Sequence, residues 1–277
     1  MSTTMPWAFR LAVGATASLC FAATAVRAQD AAAVDPRNEI QNPVGGRILI
    51  PFQSTFDVGS RPGDRDAFSL RTRPVIPVHL TPNWILVSRI LVNAVLYRPD
   101  PTRPSGGVTG LGDISPTFFV IPARVGRIVW GIGPALSLPT ATSPTLGQGK
   151  WALGPAIAAF TQGAWGTVGV IGKNQWTIAG DETRPNVNQM SLEFSASYNL
   201  ADAWYLTAQP ELDADWNAST RDRWSVPLRI GVGRLFQVGK DGLSAAVLVD
   251  RDVGRAAAAP WRVDVQAAFL VPTVLRP

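Results

Sequence analysis

The sequence is almost without the residues that thiol and metal chemistry use. It contains one cysteine, Cys20, and one histidine, His79, among 277 residues. Cys20 lies in the N-terminal segment that we expect to be cleaved, so the mature chain would have no thiol, no disulfide and no thiolate metal ligand. Carboxylates would then be the main ligands left for hard metal ions. We therefore predict neither a bound metal ion nor a cofactor.

Long apolar runs are also missing beyond the N-terminal segment. Arg10 precedes an apolar run at 11–23, and the sequence Ala-Val-Arg-Ala follows at 25–28. This is the layout of a secretory signal peptide, and the run is too short to cross a bilayer as a helix. We expect a signal peptide over 1–28, whose cleavage removes Cys20 and leaves an exported chain without a transmembrane helix.

A block of like charges is absent as well. Charged residues make up 16% of the sequence, and basic and acidic side chains are interspersed. Loss of Arg10 and Arg27 with the signal peptide lowers the formal net charge from +5 to +3. Nucleic-acid binding usually needs a clustered basic face, so we predict no nucleic-acid partner.

What the sequence does contain is a period-two alternation of apolar and polar residues. In the segment 190–200, for example, Met190, Leu192 and Phe194 are apolar and alternate with Ser191 and Glu193. Such alternation is typical of β-strands with different surroundings on their two faces. About twelve strands follow Gly46, an even number as in bacterial outer-membrane barrels. The predicted strands are 47–56, 70–79, 84–97, 111–121, 127–138, 151–161, 165–178, 188–199, 203–215, 224–237, 242–250 and 261–271.

The connections between these strands alternate between long and short. Those at 80–83, 122–126, 162–164, 200–202 and 238–241 are short, and all others are longer. Outer-membrane barrels have tight periplasmic turns and long outer loops, whereas a soluble sandwich or barrel has no reason for this regularity. The prediction is an all-β, transmembrane antiparallel up-and-down β-barrel over 47–271, located in the outer membrane of a Gram-negative bacterium.

Tryptophan positions agree with this prediction, because an indole ring prefers the headgroup level of a bilayer. Most tryptophans lie at predicted strand ends, and only Trp130 lies nearer the middle of its strand. The expected membrane-interface aromatics are Trp84, Trp151, Trp165, Trp176, Trp204, Trp216, Trp224 and Trp261.

The polar face of each strand is expected to face the lumen. An Arg or Lys turned toward the lipid midplane costs about 2–4 kcal/mol, so apolar residues take the lipid face. The candidate lumen-lining residues are Arg89, Asn93, Lys173, Gln175, Glu193, Gln209, Glu211, Asp213, Asp215, Arg229, Arg262 and Asp264.

Two interpretations of the lumen charges stay open. Glu211, Asp213 and Asp215 alternate on one strand and could attract a cation or steer a polar solute. The mixed signs favour instead an ion-pair network that fills a narrow lumen, with Glu211 near Arg229. No catalytic residue is predicted, because the single histidine has no serine or carboxylate constellation around it.

Two short stretches of the mature chain lie outside the predicted strands, and the N-terminal one is polar. Residues 29–46 form a periplasmic N-terminal extension that either hangs below the barrel or tucks into the lumen as a plug. Residues 272–277 form a tail after the last strand, which carries the late aromatic Phe269.

Several distinctive motifs are distributed across the mature chain. They are Asn42-Pro43-Val44, Pro51-Phe52-Gln53, Gly110-Leu111-Gly112-Asp113, Gly131-Ile132-Gly133-Pro134, Leu138-Pro139-Thr140-Ala141-Thr142, Asn174-Gln175-Trp176, Ala179-Gly180-Asp181 and the segments 73–78 and 149–155. Together these motifs resemble a bacterial outer-membrane family associated with a MetA-pathway of phenol degradation. The resemblance implies a channel or transporter for small, hydrophobic or aromatic solutes, with outer-membrane lipid and the barrel-assembly machinery as partners. The alternative is a closed barrel with a structural or surface-binding role and no transport.

Overall fold

The computed structural model describes residues 35–58, 67–99, 107–124, 126–238, 241–253 and 261–271. The predicted signal peptide and the tail 272–277 lie outside the described residues. Within these ranges no helix is long and apolar enough to cross a membrane. The elements are α1 (Pro36–Gln41), β1 (Ile48–Val58), β2 (Phe68–Thr72), β3 (Val75–Thr81), β4 (Trp84–Pro99), β5 (Gly107–Leu111), β6 (Ser115–Pro122), β7 (Ile128–Ser137), β8 (Lys150–Gly163), β9 (Gly166–Gly180), β10 (Asn188–Asn199), β11 (Trp204–Ala208), β12 (Glu211–Asp215), β13 (Trp224–Ser225), β14 (Pro227–Val238), β15 (Asp241–Asp252) and β16 (Trp261–Val271).

Antiparallel pairing joins these segments into one closed sheet. The first strand pairs with the last along its whole length, from Ile48 opposite Val271 to Val58 opposite Trp261. On the far side β10 pairs with β11 and β12, and β11 pairs with β14. Because β2 with β3, β5 with β6, β11 with β12 and β13 with β14 are parts of single barrel strands, the sixteen segments form twelve. The predicted twelve-stranded antiparallel barrel is confirmed.

Proline explains two of the interruptions that the sequence prediction did not place. The predicted strand 70–79 breaks at Pro74, and the predicted strand 203–215 breaks at Pro210. Proline has no N–H to donate to the ladder, but its carbonyl still accepts. Pro74 accepts from the Ile90 N–H at 3.1 Å and Pro210 from the Phe194 N–H at 2.9 Å, so the neighbouring strand stays attached at both breaks.

Apolar side chains cover the outside of the barrel. In β15, Ala245, Val247 and Val249 are exposed, whereas the alternate residues Leu248 and Asp250 are buried. The same alternation holds in β4, β14 and β16, as the polar face prediction required. A continuous exposed apolar surface on a closed barrel is the lipid-facing band of an outer-membrane protein.

The interior at the short-turn end is filled by an apolar cluster. Its largest fully buried members include Phe119, Phe160 and Ile121, with Val44 and Leu49 from the N-terminal part of the chain. Phe160 packs flat on Gly169 of the adjacent strand, where a Cβ would overlap the ring. The lumen is therefore closed to a wide water column at this end, and polar space remains farther along the barrel axis.

Candidate functional site

The segment 35–46 lies inside the short-turn end of the barrel. Asn38 is 2% exposed, donates to the Gly163 carbonyl at 2.7 Å and accepts from the Asn199 side chain at 3.0 Å. Ile40 and Val44 are buried in the apolar cluster. The sequence left two placements open for residues 29–46. The described part of this stretch, 35–46, is tucked into the lumen.

Two charged contacts hold the start of α1. Arg37 donates to the carbonyls of Leu200 at 2.6 Å and Trp204 at 3.0 Å, in the turn between β10 and β11. Asp35 caps the helix through the Arg37 N–H and pairs with its guanidinium at 2.7 Å. The hydrogen bonds from Arg37 lower the pKa of the Asp35 carboxyl, so this pair is charged at neutral pH.

Two cavities lie along the lumen. The inner cavity, of about 190 Å³, is bounded by Ile40 and Pro43 of the N-terminal segment. The outer cavity, of about 650 Å³, lies in the long-loop half of the barrel and is lined by Lys173 and Asp213 among others. Glu211 lines both, so the two cavities meet at β12.

A layer of buried ion pairs lies on the wall of the inner cavity. Glu193 accepts from Arg73 and from Arg89, each at 2.8 Å. The Arg89 side chain is only 7% exposed. Two guanidinium groups thus share one carboxylate, which leaves a net positive charge at this level.

A second network joins the barrel strands next to the closure. Arg229 pairs with Asp264 at 2.9 Å and with Asp250 at 3.4 Å, and Arg262 pairs with Asp250 at 3.0 Å. The expected proximity of Glu211 to Arg229 exists only as a shared cavity wall, since Glu211 accepts from Ser191 at 3.1 Å instead. The reason is register, because the Gln209 N–H donates to the Arg229 carbonyl and places Glu211 two residues farther along.

The twelve predicted lumen-lining residues fall into three groups. Arg262 and Asp264 belong to the ion network and do not border either cavity. The residues on the inner cavity are Arg89, Glu193, Gln209, Glu211 and Arg229. The residues on the outer cavity are Asn93, Lys173, Gln175, Asp213 and Asp215, again with Glu211.

Sequence reasoning missed several polar residues that border these cavities, among them Arg71, Arg73 and Asp113. Arg71 and Arg73 line the inner cavity, and Asp113 lines the outer one. Arg71 and Arg73 share the strand face of Val75, so their alternation was a usable signal, although the Pro74 break obscured it. Asp113 lies between β5 and β6, where no period-two pattern exists.

Asp113 holds the 138–149 loop against the outer cavity. Its carboxylate accepts from the Ala141 N–H at 3.1 Å and from the Gln148 N–H at 2.6 Å. Arg184 of the next loop donates to the carbonyls of Pro144 and Gly147. Leu146, Gly147 and Gln148 consequently line the outer cavity and narrow the long-loop end of the lumen.

Tryptophans lie on the outside at both ends of the barrel. Trp84, Trp165 and Trp204 lie beside short turns, and Trp130 joins them through an edge contact with Trp84, with ring centroids 6.3 Å apart. Trp130, which was predicted to lie nearer the middle of its strand, is the third residue of β7. The long-loop end carries the exposed Trp151, Trp176, Trp216, Trp224 and Trp261.

His79, the single histidine, lies opposite Ile85 on the adjacent strand and borders neither cavity. In the described part of the chain, no group of three or more His, Cys, Asp or Glu side chains is arranged to hold a metal ion.

Comparisons with known proteins agree with this architecture. A family model described as "Putative MetA-pathway of phenol degradation" matches residues 70–258. An outer membrane channel from Pseudomonas putida F1 superposes with a TM-score of 0.62 at 16% identity, over 86% of this chain and 100% of that chain. No curated protein sequence matches significantly.

Two other solved structures are similar at lower TM-scores. Escherichia coli outer membrane phospholipase A has a TM-score of 0.43 at 13% identity, over 81% of this chain and 92% of that chain. The CymD monoaromatic hydrocarbon channel also has 0.43, at 9% identity, over 88% of this chain and 94% of that chain. The barrel fold, the apolar outer band and the two tryptophan belts together place the protein in the outer membrane.

Proposed function

We propose that this protein, which belongs to the MetA-pathway phenol-degradation family, is a narrow channel through which small solutes cross the outer membrane passively. The observation that carries the proposal is the pair of cavities that meet at Glu211 inside a closed barrel. Polar side chains on their walls replace part of the hydration of a passing solute. The family description favours aromatic solutes.

The same walls support a channel of low throughput. A twelve-stranded barrel has a small bore. The Arg73–Glu193–Arg89 layer and the 138–149 loop reduce that bore further at two levels. We therefore expect slow, selective passage of single small molecules in place of a general porin flux.

A closed barrel with a structural or surface-binding role is the second candidate. The observation in its favour is the seal at the short-turn end, where Asn38, Ile40 and Val44 of the segment 35–46 are buried inside the barrel. Passage then requires this segment to move.

Planar-bilayer conductance of the purified full chain tests the proposal. We expect small, discrete current steps for the unchanged protein and larger or longer openings for Asn38→Ala, which loses the contacts to Gly163 and Asn199. Arg47→Ala is the matched control, because Arg47 directly follows this segment and its half-exposed side chain pairs with Glu39 at 3.1 Å.

Liposome uptake of a neutral single-ring solute such as benzyl alcohol, measured beside protein-free liposomes, gives a second readout. Neither current nor added uptake in the unchanged protein and in Asn38→Ala would support the closed barrel. Outer-membrane lipid surrounds the barrel in either case, and recognition of its last strand by the barrel-assembly machinery stays a prediction.

A further inference from the structure

Positive charge is in excess on the wall of the inner cavity, where four arginines face only two lining carboxylates, those of Glu193 and Glu211. Arg73 and Arg89 share the single carboxylate of Glu193. Arg71 lines the inner cavity and Lys173 the outer one, and neither forms an ion pair with any described residue. Partly buried cations without a full complement of carboxylates favour the binding of an anion.

Part of the inner cavity wall is apolar. Leu49, Val75, Phe160 and Ile171 line it, and each is at most 5% exposed. Tyr205 adds a ring whose hydroxyl is already bonded to Ser244 at 2.5 Å. An apolar protein cavity of about 150 Å³ is large enough to bind benzene, so the inner cavity at about 190 Å³ has room for one aromatic ring.

We propose that the inner cavity binds a single-ring aromatic monocarboxylate, with the carboxylate at Arg71 and the ring among Phe160, Ile171 and Val75. This inference names the substrate class of the channel proposed above and rests on that function. A guanidinium presents two parallel N–H donors that match both oxygens of a carboxylate. The apolar side chains bury the ring, so the ligand is bound by charged hydrogen bonds at one end and by apolar contacts at the other.

The outer cavity restricts the charge of the ligand. Glu211, Asp213 and Asp215 lie at alternate positions on its wall, with Lys173 and Arg223 as cations on the same wall. These carboxylates repel a dianionic ligand more strongly than a monoanionic one. We therefore expect benzoate to bind and the dianion phthalate to bind at least tenfold more weakly.

Calorimetric titration of the full chain in detergent micelles tests this site. Benzoate is expected to bind saturably to the unchanged protein and at least tenfold more weakly to Arg71→Gln, which loses the charged fork. Arg234→Gln is the matched control, because Arg234 lies on the outer surface, 5.4 Å from the centre of the Trp204 ring. Its benzoate affinity is expected to equal that of the unchanged protein.

A second variant and a second solute keep the outcomes distinct. If Arg71→Gln does not fold, Arg71→Lys, which keeps the charge but not the fork, is expected to weaken binding severalfold. Equal benzoate affinity in the unchanged protein and the folded Arg71 variant, or no binding at all, overturns the inference. Uptake of benzyl alcohol without benzoate binding leaves the channel proposal intact, whereas no uptake and no conductance refute the channel itself.

Discussion

At the residue scale, the lumen contains charged side chains whose effect depends on having a partner. Glu193 is 17% exposed and pairs with two arginines. Asp250 and Asp264 are at most 2% exposed, and both pair with Arg229. Removing one member of such a group leaves the other charge buried without compensation. Individual lumen substitutions therefore act on barrel stability as well as on any solute path.

Glu193→Gln is expected to destabilise the barrel by about 3–5 kcal/mol, because Arg73 and Arg89 both lose the Glu193 carboxylate with which they pair. Urea unfolding in lipid vesicles, followed by tryptophan fluorescence, measures the change. Glu211→Gln is the control, since Glu211 accepts a hydrogen bond from Ser191 and forms no ion pair. Equal stability losses in the two variants would contradict the importance of the shared carboxylate.

Arg37→Ala is expected to loosen the N-terminal segment by about 1.5–3 kcal/mol, because two charge-assisted hydrogen bonds to the Leu200 and Trp204 carbonyls are lost. Hydrogen exchange of a peptide covering 36–44 measures the effect. Arg47→Ala changes an exposed pair with Glu39 and should leave that exchange nearly unchanged. If Arg37→Ala exchanges like the unchanged protein, Arg37 does not hold the plug.

At the scale of elements, the strand breaks and the inward loop set the shape of the lumen. Pro74 and Pro210 divide barrel strands without opening the sheet, because their carbonyls still accept from β4 and β10. Arg71 and Arg73, which precede Pro74, line the inner cavity. The 138–149 loop reaches the outer cavity because one carboxylate, that of Asp113, bonds two of its amides.

Asp113→Ala is expected to release the 138–149 loop, since both amide contacts disappear and each hydrogen bond to a charged group contributes about 1.5–3 kcal/mol. Hydrogen exchange at 141–148 should accelerate, and single-channel conductance should rise. Asp215→Ala is the control, because Asp215 bonds the Asn217 N–H in a neighbouring loop. Faster exchange at 141–148 in that control as well would mean that Asp113 has no specific role.

At the scale of the whole molecule, the outer surface is adapted to lipid over its full circumference. Exposed tryptophans flank it at both ends, and Arg234 on the outer face lies over the Trp204 and Phe236 rings near a short turn. There a guanidinium reaches the headgroup level while its aliphatic part stays in contact with apolar surface. Heat-modifiable gel migration and recovery in the membrane fraction are the matching bulk measurements.

Val247→Arg is expected to destabilise the barrel in vesicles by about 2–4 kcal/mol, because Val247 is exposed in the middle of β15 between Val232 and Val265. Val238→Arg, on the same outer face at the short-turn end of β14, should cost only about 0–1 kcal/mol. Denaturant titration in vesicles compares the two. Equal losses would mean that the depth in the bilayer is assigned wrongly.

The sequence alone determined the architecture of the barrel. Period-two alternation fixes which side chains face lipid, as Val247 and Val249 show, because a strand cannot turn one residue without turning its neighbours. The alternating connection lengths determined the up-and-down order, and the tryptophans at strand ends predict where the membrane boundaries lie. These signals are local, so they are readable without knowledge of distant contacts.

Only the tertiary structure decided what fills the lumen. Glu193 meets Arg89 across 104 positions of sequence, and Asn38 meets Gly163 across 125. Which charges pair, that the segment 35–46 enters the barrel, and that Arg71 lies beside an apolar wall all depend on how twelve strands close into one ring. Side chains on opposite walls meet only after that closure, and no local pattern in the chain records the distance between them.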